Sequence, residues 1–193
     1  GAVVTAIIQS SSATTVMVVG FVNAGLMTLQ QAIGVIMGAN IGTTITAWLI
    51  AINLSEWALP AIGIGFLITM VSRNKTFRYI GQTILGFGLL FLGMSTMGNS
   101  MSVLKTSPKI ANLFLSFSSS PIEALLIGIA VTMVIQSSSA TTGLLIALGS
   151  QGLINFDAAI PIILGANIGT CITAILASIG TSRNARKAAM AHL

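Results

Sequence analysis

Long uncharged apolar stretches dominate this chain, and the same polar block interrupts them twice. No Asp, Glu, Lys or Arg occurs from Gly1 to Ser55, nor from Ala124 to Phe156. Each stretch exceeds the ~20 apolar residues that cross a bilayer. Gln31–Ile52 reads as one continuous helix, about 33 Å long at ~1.5 Å per residue. Ala158–Ile179 reads as its counterpart. Between them lie Trp57–Val71, short for a span, and Tyr79–Met97, long enough for one. Ser100–Ser120 is polar, with Lys105, Pro108 and Lys109, and reads as an interfacial loop or a short surface helix.

The polar block Gln9-Ser10-Ser11-Ser12-Ala13-Thr14-Thr15 returns unchanged as Gln136-Ser137-Ser138-Ser139-Ala140-Thr141-Thr142, 127 residues later. Gly38-Ala39-Asn40-Ile41-Gly42-Thr43 returns as Gly165-Ala166-Asn167-Ile168-Gly169-Thr170 at the same offset. Gly1–Ala51 aligns with Gly128–Ser178 without a gap, and roughly half of those positions are identical. The chain is therefore an internal duplication. Its parts read as repeat 1 over 1–52, linking helices and an outer loop over 53–121, and repeat 2 over 122–193. Duplicated halves are a common build of secondary transporters.

In the second repeat, Ile122–Ile135 leads into the block and Ala140–Ile154 leads away. Each arm is about 22 Å long, too short for a ~30 Å hydrocarbon core, and one unbroken helix would be about 50 Å. Two half-helices meeting at a polar tip fit better, because irregular backbone at that depth must face protein or a water-filled cavity. Re-entrant hairpins are expected at Gly1–Met27 and Ile122–Ile154. The expected fold is an all-α integral membrane protein with inverted structural repeats, each a re-entrant helical hairpin followed by a transmembrane helix.

Charge sharpens this topology. The chain is 54% hydrophobic and 6% charged, against about 25% charged in soluble domains. If each hairpin enters and leaves on one side, Arg73, Lys75, Arg78, Arg183, Arg186 and Lys187 share a side. Lys105 and Lys109 share the other with Glu56, Glu123 and Asp157. Six of eight basic residues then lie together, as cytoplasmic loops require. Full spans in place of hairpins would split them five to three. The net charge of +5 is thus a topology signal, and no nucleic-acid partner is expected. The single Cys171 has no intrachain partner and indicates no redox compartment. The sequence opens abruptly in an apolar run, without Met or a basic leader, and reads as a fragment clipped before its first helix and after His192.

Each block offers five hydroxyls and one amide within seven residues. On an unbroken helix some would face lipid, at several kcal/mol for each unpaired group. At a break, two blocks can enclose a solute. Hydroxyls and amides donate and accept, and the N-termini of broken helices add free N–H groups, a ready anion site. Freed carbonyls and hydroxyls suit Na⁺. No Lys or Arg stands near either block, so a bound anion needs cations to accompany it. Asn40, Asn167, Thr43 and Thr170 can turn oxygens towards ions or clamp the tips.

The paired Gln-Ser-Ser-Ser and Gly-Ala-Asn-Ile-Gly-Thr blocks resemble the type II sodium-phosphate cotransporter family in a bacterial form, over just more than half of the chain. That resemblance implies uptake of inorganic phosphate across the plasma membrane, driven by Na⁺ as coupling ion, by alternating access and without another cofactor. It implies that Gln9, Ser10, Ser11, Ser12, Gln136, Ser137, Ser138 and Ser139 contact phosphate. It further implies that Thr14, Thr15, Asn40, Thr43, Thr141, Thr142, Asn167 and Thr170 serve Na⁺. No carboxylate lies inside an expected membrane segment.

A symporter of another small anion remains open on spacing alone, and so does a hydroxyl-lined channel, although channels usually place such rings on oligomer axes. A serine hydrolase is disfavoured, because the only His is at the chain end and no Lys lies in either hairpin. The chain is read as no enzyme. Gly34, Gly38 and Gly42 form a small-residue stripe that suits helix packing. Trp48 and Trp57 read as interfacial anchors, scattered Met residues as core filler, and His192 as interfacial. Glu123 and Asp157 read as solvated charges at the hairpin mouths.

Overall fold

A computed structural model describes residues 1–52, 54–102 and 120–193. Among the described residues the regular structure is helical: α1 (Ala2–Ile8), α2 (Ser11–Asn23), α3 (Leu29–Ala51), α4 (Ala58–Val71), α5 (Lys75–Ser102), α6 (Pro121–Ile135), α7 (Ser138–Ser150), α8 (Phe156–Ala177) and α9 (Arg183–Met190). A 3₁₀ turn at Ser55–Trp57 precedes α4. Most of the stretch expected to be an outer loop, with Lys105 and Lys109, lies outside the described residues.

Local chemistry sets the boundaries. Thr28 and Gln31 form a reciprocal capping box at the start of α3, with Thr28 N donating to Gln31 Oε1 at 3.0 Å and Gln31 N to Thr28 Oγ1 at 3.3 Å. Asn155 Oδ1 caps α8 by accepting from Ala158 N at 2.9 Å. Glycine supplies the left-handed stop after each second arm, Gly25 at φ 74° and Gly152 at φ 66°. These two glycines are repeat mates. Glu56, Glu123 and Asp157 each occupy the first turn of a helix, where a negative charge complements the helix dipole.

The helices α3, α5 and α8 are long and apolar enough to cross a membrane. Around them, Trp48, Leu59, Met70 and Val71 are exposed by two thirds or more. So continuous an apolar exterior is foreign to a soluble monomer, and the chain is a membrane protein. The same exterior corrects the reading of Met as core filler: Met17, Met37, Met70, Met133 and Met190 all lie outside, because lipid accepts an apolar side chain as readily as a core does.

Packing follows the duplication. α1 lies on α3, and α6 lies on α8. Each contact is made through glycine, since lipid removes the hydrophobic drive between helices and close backbone approach must replace it. A Cβ on Gly38 would come 2.8 Å from Ala2 N, and one on Gly169 would come 2.7 Å from the Ile129 carbonyl oxygen. Gly34, the third member of the stripe, has nothing near it. The second arms cross over: α2 packs on α3 and on α8 of the other half, while α7 packs on α8 and on α3. α4 and α5 form a separate pair, closed at Gly65, Gly81 and Gly88, and α5 also meets α7.

α9 is docked rather than a loose basic tail. Its Ala185, Ala188 and Ala189 are fully buried against Val18, Val19 and Val22 of α2, Ala32 and Ile36 of α3, and Ala174 of α8. Ser182 N, just before α9, donates to Asn23 Oδ1 at the end of α2, at 2.8 Å. Ser150 and Gln151, at the end of α7, lie instead with Ile50 and Ala51 of α3 and Gly98 and Asn99 of α5. Expected at the interface, His192 is instead 8% exposed, and its Nε2 lies 3.0 Å from Asn40 Oδ1. The docking of α9 draws the residues after it inward.

Candidate functional site

Both polar blocks sit at helix breaks with one local geometry. Gln9 ends α1 in the left-handed region at φ 60°, and Gln136 ends α6 at φ 59°. A residue other than glycine costs about 1–2 kcal/mol there. Three sets of hydrogen bonds offset that cost. Ser10 and Ser137 turn extended and cap the next helix, their Oγ accepting from Ala13 N at 3.1 Å and from Ala140 N at 3.2 Å. A buried threonine pair then staples the arms together, Thr5 to Thr14 at 2.9 Å and Thr132 to Thr141 at 2.8 Å. Finally the glutamine side chains are held. Gln9 Nε2 donates to the Ala6 carbonyl at 2.6 Å while Oε1 accepts from Thr46 Oγ1 at 2.5 Å. Gln136 Nε2 donates to the Met133 carbonyl at 2.5 Å while Oε1 accepts from Thr173 Oγ1 at 2.7 Å. The reverse amide orientation would set oxygen against a carbonyl, so the pattern fixes which way each amide points.

The two tips face each other. Gln9, Ser10, Ser11 and Ser12 line one cleft with Gln136, Ser137, Ser138, Ser139 and Thr43, around a volume of about 40 Å³. All eight residues expected to hold phosphate thus come together, from positions 127 apart in sequence. The N-termini of α2 and α7 open onto this cleft, and the first N–H groups of a helix have no intrahelical acceptor. No lining residue is charged. The arrangement offers donors in quantity and a positive dipole end from each side, a neutral surround that suits an anion.

The residues expected to serve Na⁺ are more dispersed. Thr43 lines the cleft. Thr14 and Thr141 belong to the staples and also donate back to the Ser10 and Ser137 carbonyls, at 3.1 and 3.2 Å. Thr15 is fully buried, and its hydroxyl has no hydrogen-bond partner. Its repeat mate Thr142 instead faces an apolar hollow with Leu145, Ile146 and Phe156. Thr170 donates to its own helix at the Ala166 carbonyl, Asn40 meets His192, and Asn167 is exposed.

Four residues in this geometry carry no sequence expectation: Thr5, Thr132, Thr46 and Thr173. Each pair repeats at the offset of 127, so the gapless alignment marks them as repeat mates but not what their hydroxyls bond.

A family model described as Na+/Pi-cotransporter matches residues 1–99 and 101–191. The chain belongs to the Na⁺/Pi-cotransporter family. It is 36% identical over 194 aligned residues to the uncharacterized protein YqeW of Bacillus subtilis (strain 168), covering 99% of this chain and 62% of that protein. It is 29% identical to the provisionally named inorganic phosphate export protein YjbB of Escherichia coli (strain K12), covering 98% of this chain and 35% of that protein. Over 101 residues, half of the chain, it is 41% identical to human sodium-dependent phosphate transport protein 2B, of which that match covers 15%. The chain therefore spans less than two thirds of these relatives' length. No solved structure matches it. Membership of the Na⁺/Pi-cotransporter family agrees with the resemblance carried by the two blocks and extends it along nearly the whole chain.

Proposed function

We propose that this chain is the transport core of a Na⁺-driven phosphate symporter, taking up inorganic phosphate across the plasma membrane by alternating access. The observation that carries the reading is the cleft itself: two serine-rich helix N-termini facing each other, with no charged side chain lining the space. A phosphate anion there would be held by Ser10, Ser11, Ser12, Ser137, Ser138 and Ser139, by the free N–H groups of α2 and α7, and by the amides of Gln9 and Gln136. Its charge would be offset by Na⁺, for which Thr43 and the unpartnered hydroxyl of Thr15 are the best-supported oxygens. Thr14, Asn40, Thr141, Thr142, Asn167 and Thr170 complete the candidate set. Na⁺ is the coupling ion, no other cofactor is involved, and the protein is not an enzyme.

We further propose that the two broken segments are re-entrant hairpins in inverted repeats. The contact of Asn23 with Ser182 at one end, and the gathering of Ser150 and Gln151 with the ends of α3 and α5 at the other, support this reading. In that arrangement Arg73, Lys75, Arg78, Arg183, Arg186 and Lys187 face the cytoplasm, in keeping with the charge rule.

The test is ³²P-phosphate uptake into proteoliposomes that contain the full-length protein, with and without an inward Na⁺ gradient. Na⁺-dependent uptake lost in Ser137→Ala is the expected result. Na⁺-independent uptake, or full activity of that variant, overturns it. The name carried by the Escherichia coli relative favours a second reading, net export, and the same vesicles loaded with phosphate measure it directly.

A further inference from the structure

Threonines inside helices usually return their hydroxyl to a carbonyl one turn back. In α3, α4, α5 and α8, Thr43, Thr69, Thr83, Thr96 and Thr170 all do so, each to the residue four earlier. Thr46 and Thr173 do not. Their hydroxyls leave α3 and α8 and donate to the glutamine oxygens at the tips, 37 residues away in each half.

We propose that Thr46 and Thr173 are positioning residues of the anion cleft, each aiming one glutamine amide. This rests on the symporter reading above. Each amide oxygen takes a threonine hydroxyl, and one amide N–H goes to the carbonyl three residues back. One N–H remains on each glutamine, and both glutamines line the cleft. The clasp therefore does two things. It holds the left-handed break, so that the serine N–H groups keep their aim, and it fixes the rotamer that presents the remaining amide hydrogen. Because the clasp reaches from a long helix to the tip, it also ties the tip's position to that helix. The same arrangement occurs at two places that share no residue. A single incidental contact would not repeat in this way.

The experiment compares Thr173→Val, Thr173→Ser, Gln136→Ala and Thr173→Val/Gln136→Ala in the full-length protein, with Thr46→Val and Thr46→Ser as an independent pair. Phosphate KM and maximal uptake are measured at matched protein levels, and amide hydrogen exchange is followed across residues 9–13 and 136–140. Thr173→Val should raise the phosphate KM roughly three- to ten-fold, the worth of one neutral hydrogen bond. Thr173→Ser should keep the wild-type value. The double variant should be no worse than Gln136→Ala alone, since the threonine acts through the glutamine. Exchange should quicken at 136–140 in Thr173→Val and at 9–13 in Thr46→Val, each at its own tip. A wild-type KM with unchanged exchange in both valine variants overturns the proposal. So does an effect that adds to that of Gln136→Ala, or a serine variant as impaired as the valine one. If the wild-type protein carries no phosphate, the symporter reading falls, while hydrogen exchange still decides the clasp.

Discussion

Replacing Gly169 by Ala probes how the close packing of α6 on α8 sustains the second tip. The added Cβ would lie 2.7 Å from the Ile129 carbonyl oxygen and 2.9 Å from Thr132 Cβ, where ordinary contact begins at 3.4 Å. α6 must therefore retreat by roughly 0.5–0.7 Å, because backbone atoms cannot rotate away from the methyl group. Thr132 rides on α6, and its hydroxyl meets Thr141 at 2.8 Å. A retreat of that size takes the staple to the edge of hydrogen-bonding range. Overpacking costs about 1–3 kcal/mol, and weakening a buried hydrogen bond adds about 1 kcal/mol, so about 2–4 kcal/mol is expected in all. Gly86 in α5 is the control. A Cβ there meets nothing within 4 Å, and Ala is up to ~1 kcal/mol the better helix former. Thermal unfolding of the full-length protein in nanodiscs, paired with phosphate uptake, measures both variants. Gly169→Ala should melt well below wild type and lose uptake, whereas Gly86→Ala should melt no lower. Equal melting of the two variants would refute the reasoning, since it would mean that α6 and α8 are not in backbone contact.

The threonine staple should be unequal in its two partners. Thr132→Val leaves the Thr141 hydroxyl bonded to the Ser137 carbonyl, whereas Thr141→Val strands the Thr132 hydroxyl in a buried site. Thr141→Val should therefore cost about 1–3 kcal/mol and Thr132→Val about 1 kcal/mol or less, as read by the same melting assay. Ser137→Ala removes the cap on α7 and should lower stability by about 1 kcal/mol even without phosphate, which separates its structural effect from its effect on uptake. Phosphate in the presence of Na⁺ should raise the melting temperature, by the equivalent of about 2.7 kcal/mol at a hundred-fold excess over Kd, and phosphate with K⁺ in place of Na⁺ should not. Cysteines placed at Asn23 and Ser182 should cross-link under oxidation, and in the reduced protein a membrane-impermeant thiol reagent should reach them only from the cytoplasmic side; labelling from outside would reverse the proposed topology.

Helix breaks were legible in the sequence because a hydroxyl-rich block has nowhere to go on a lipid-facing helix. The expected break after Ile135 coincides with the end of α6, and Gln31–Ile52 and Ala158–Ile179 differ from α3 and α8 by one or two residues at each end. The expected arm beginning at Ala140 starts two residues earlier, since Ser137 provides the cap. The role of α9 was harder to see. Its buried stripe is made of alanine, which carries almost no hydrophobic signal, while Arg183, Arg186 and Lys187 dominate its composition. At the site, block identity pointed to eight of the nine residues that line the cleft, because polarity at a fixed offset survives as text. Thr46 and Thr173 were illegible for a different reason: a threonine that bonds its own helix and one that reaches across to a tip look the same in sequence. The separate surroundings of Thr15 and Thr142 were equally hidden, since the two stand in identical blocks.

The crossing of the second arms, α2 over α8 and α7 over α3, is the contact pattern of a two-fold pair, in which each member offers the other what it receives. One repeat alone would own half a cleft. Two separate copies of such a unit, meeting face to face, would form both tips of the cleft. The duplication thus holds within one polypeptide an interface of the kind that two like subunits make. Its two halves, made as independent chains, should find each other again.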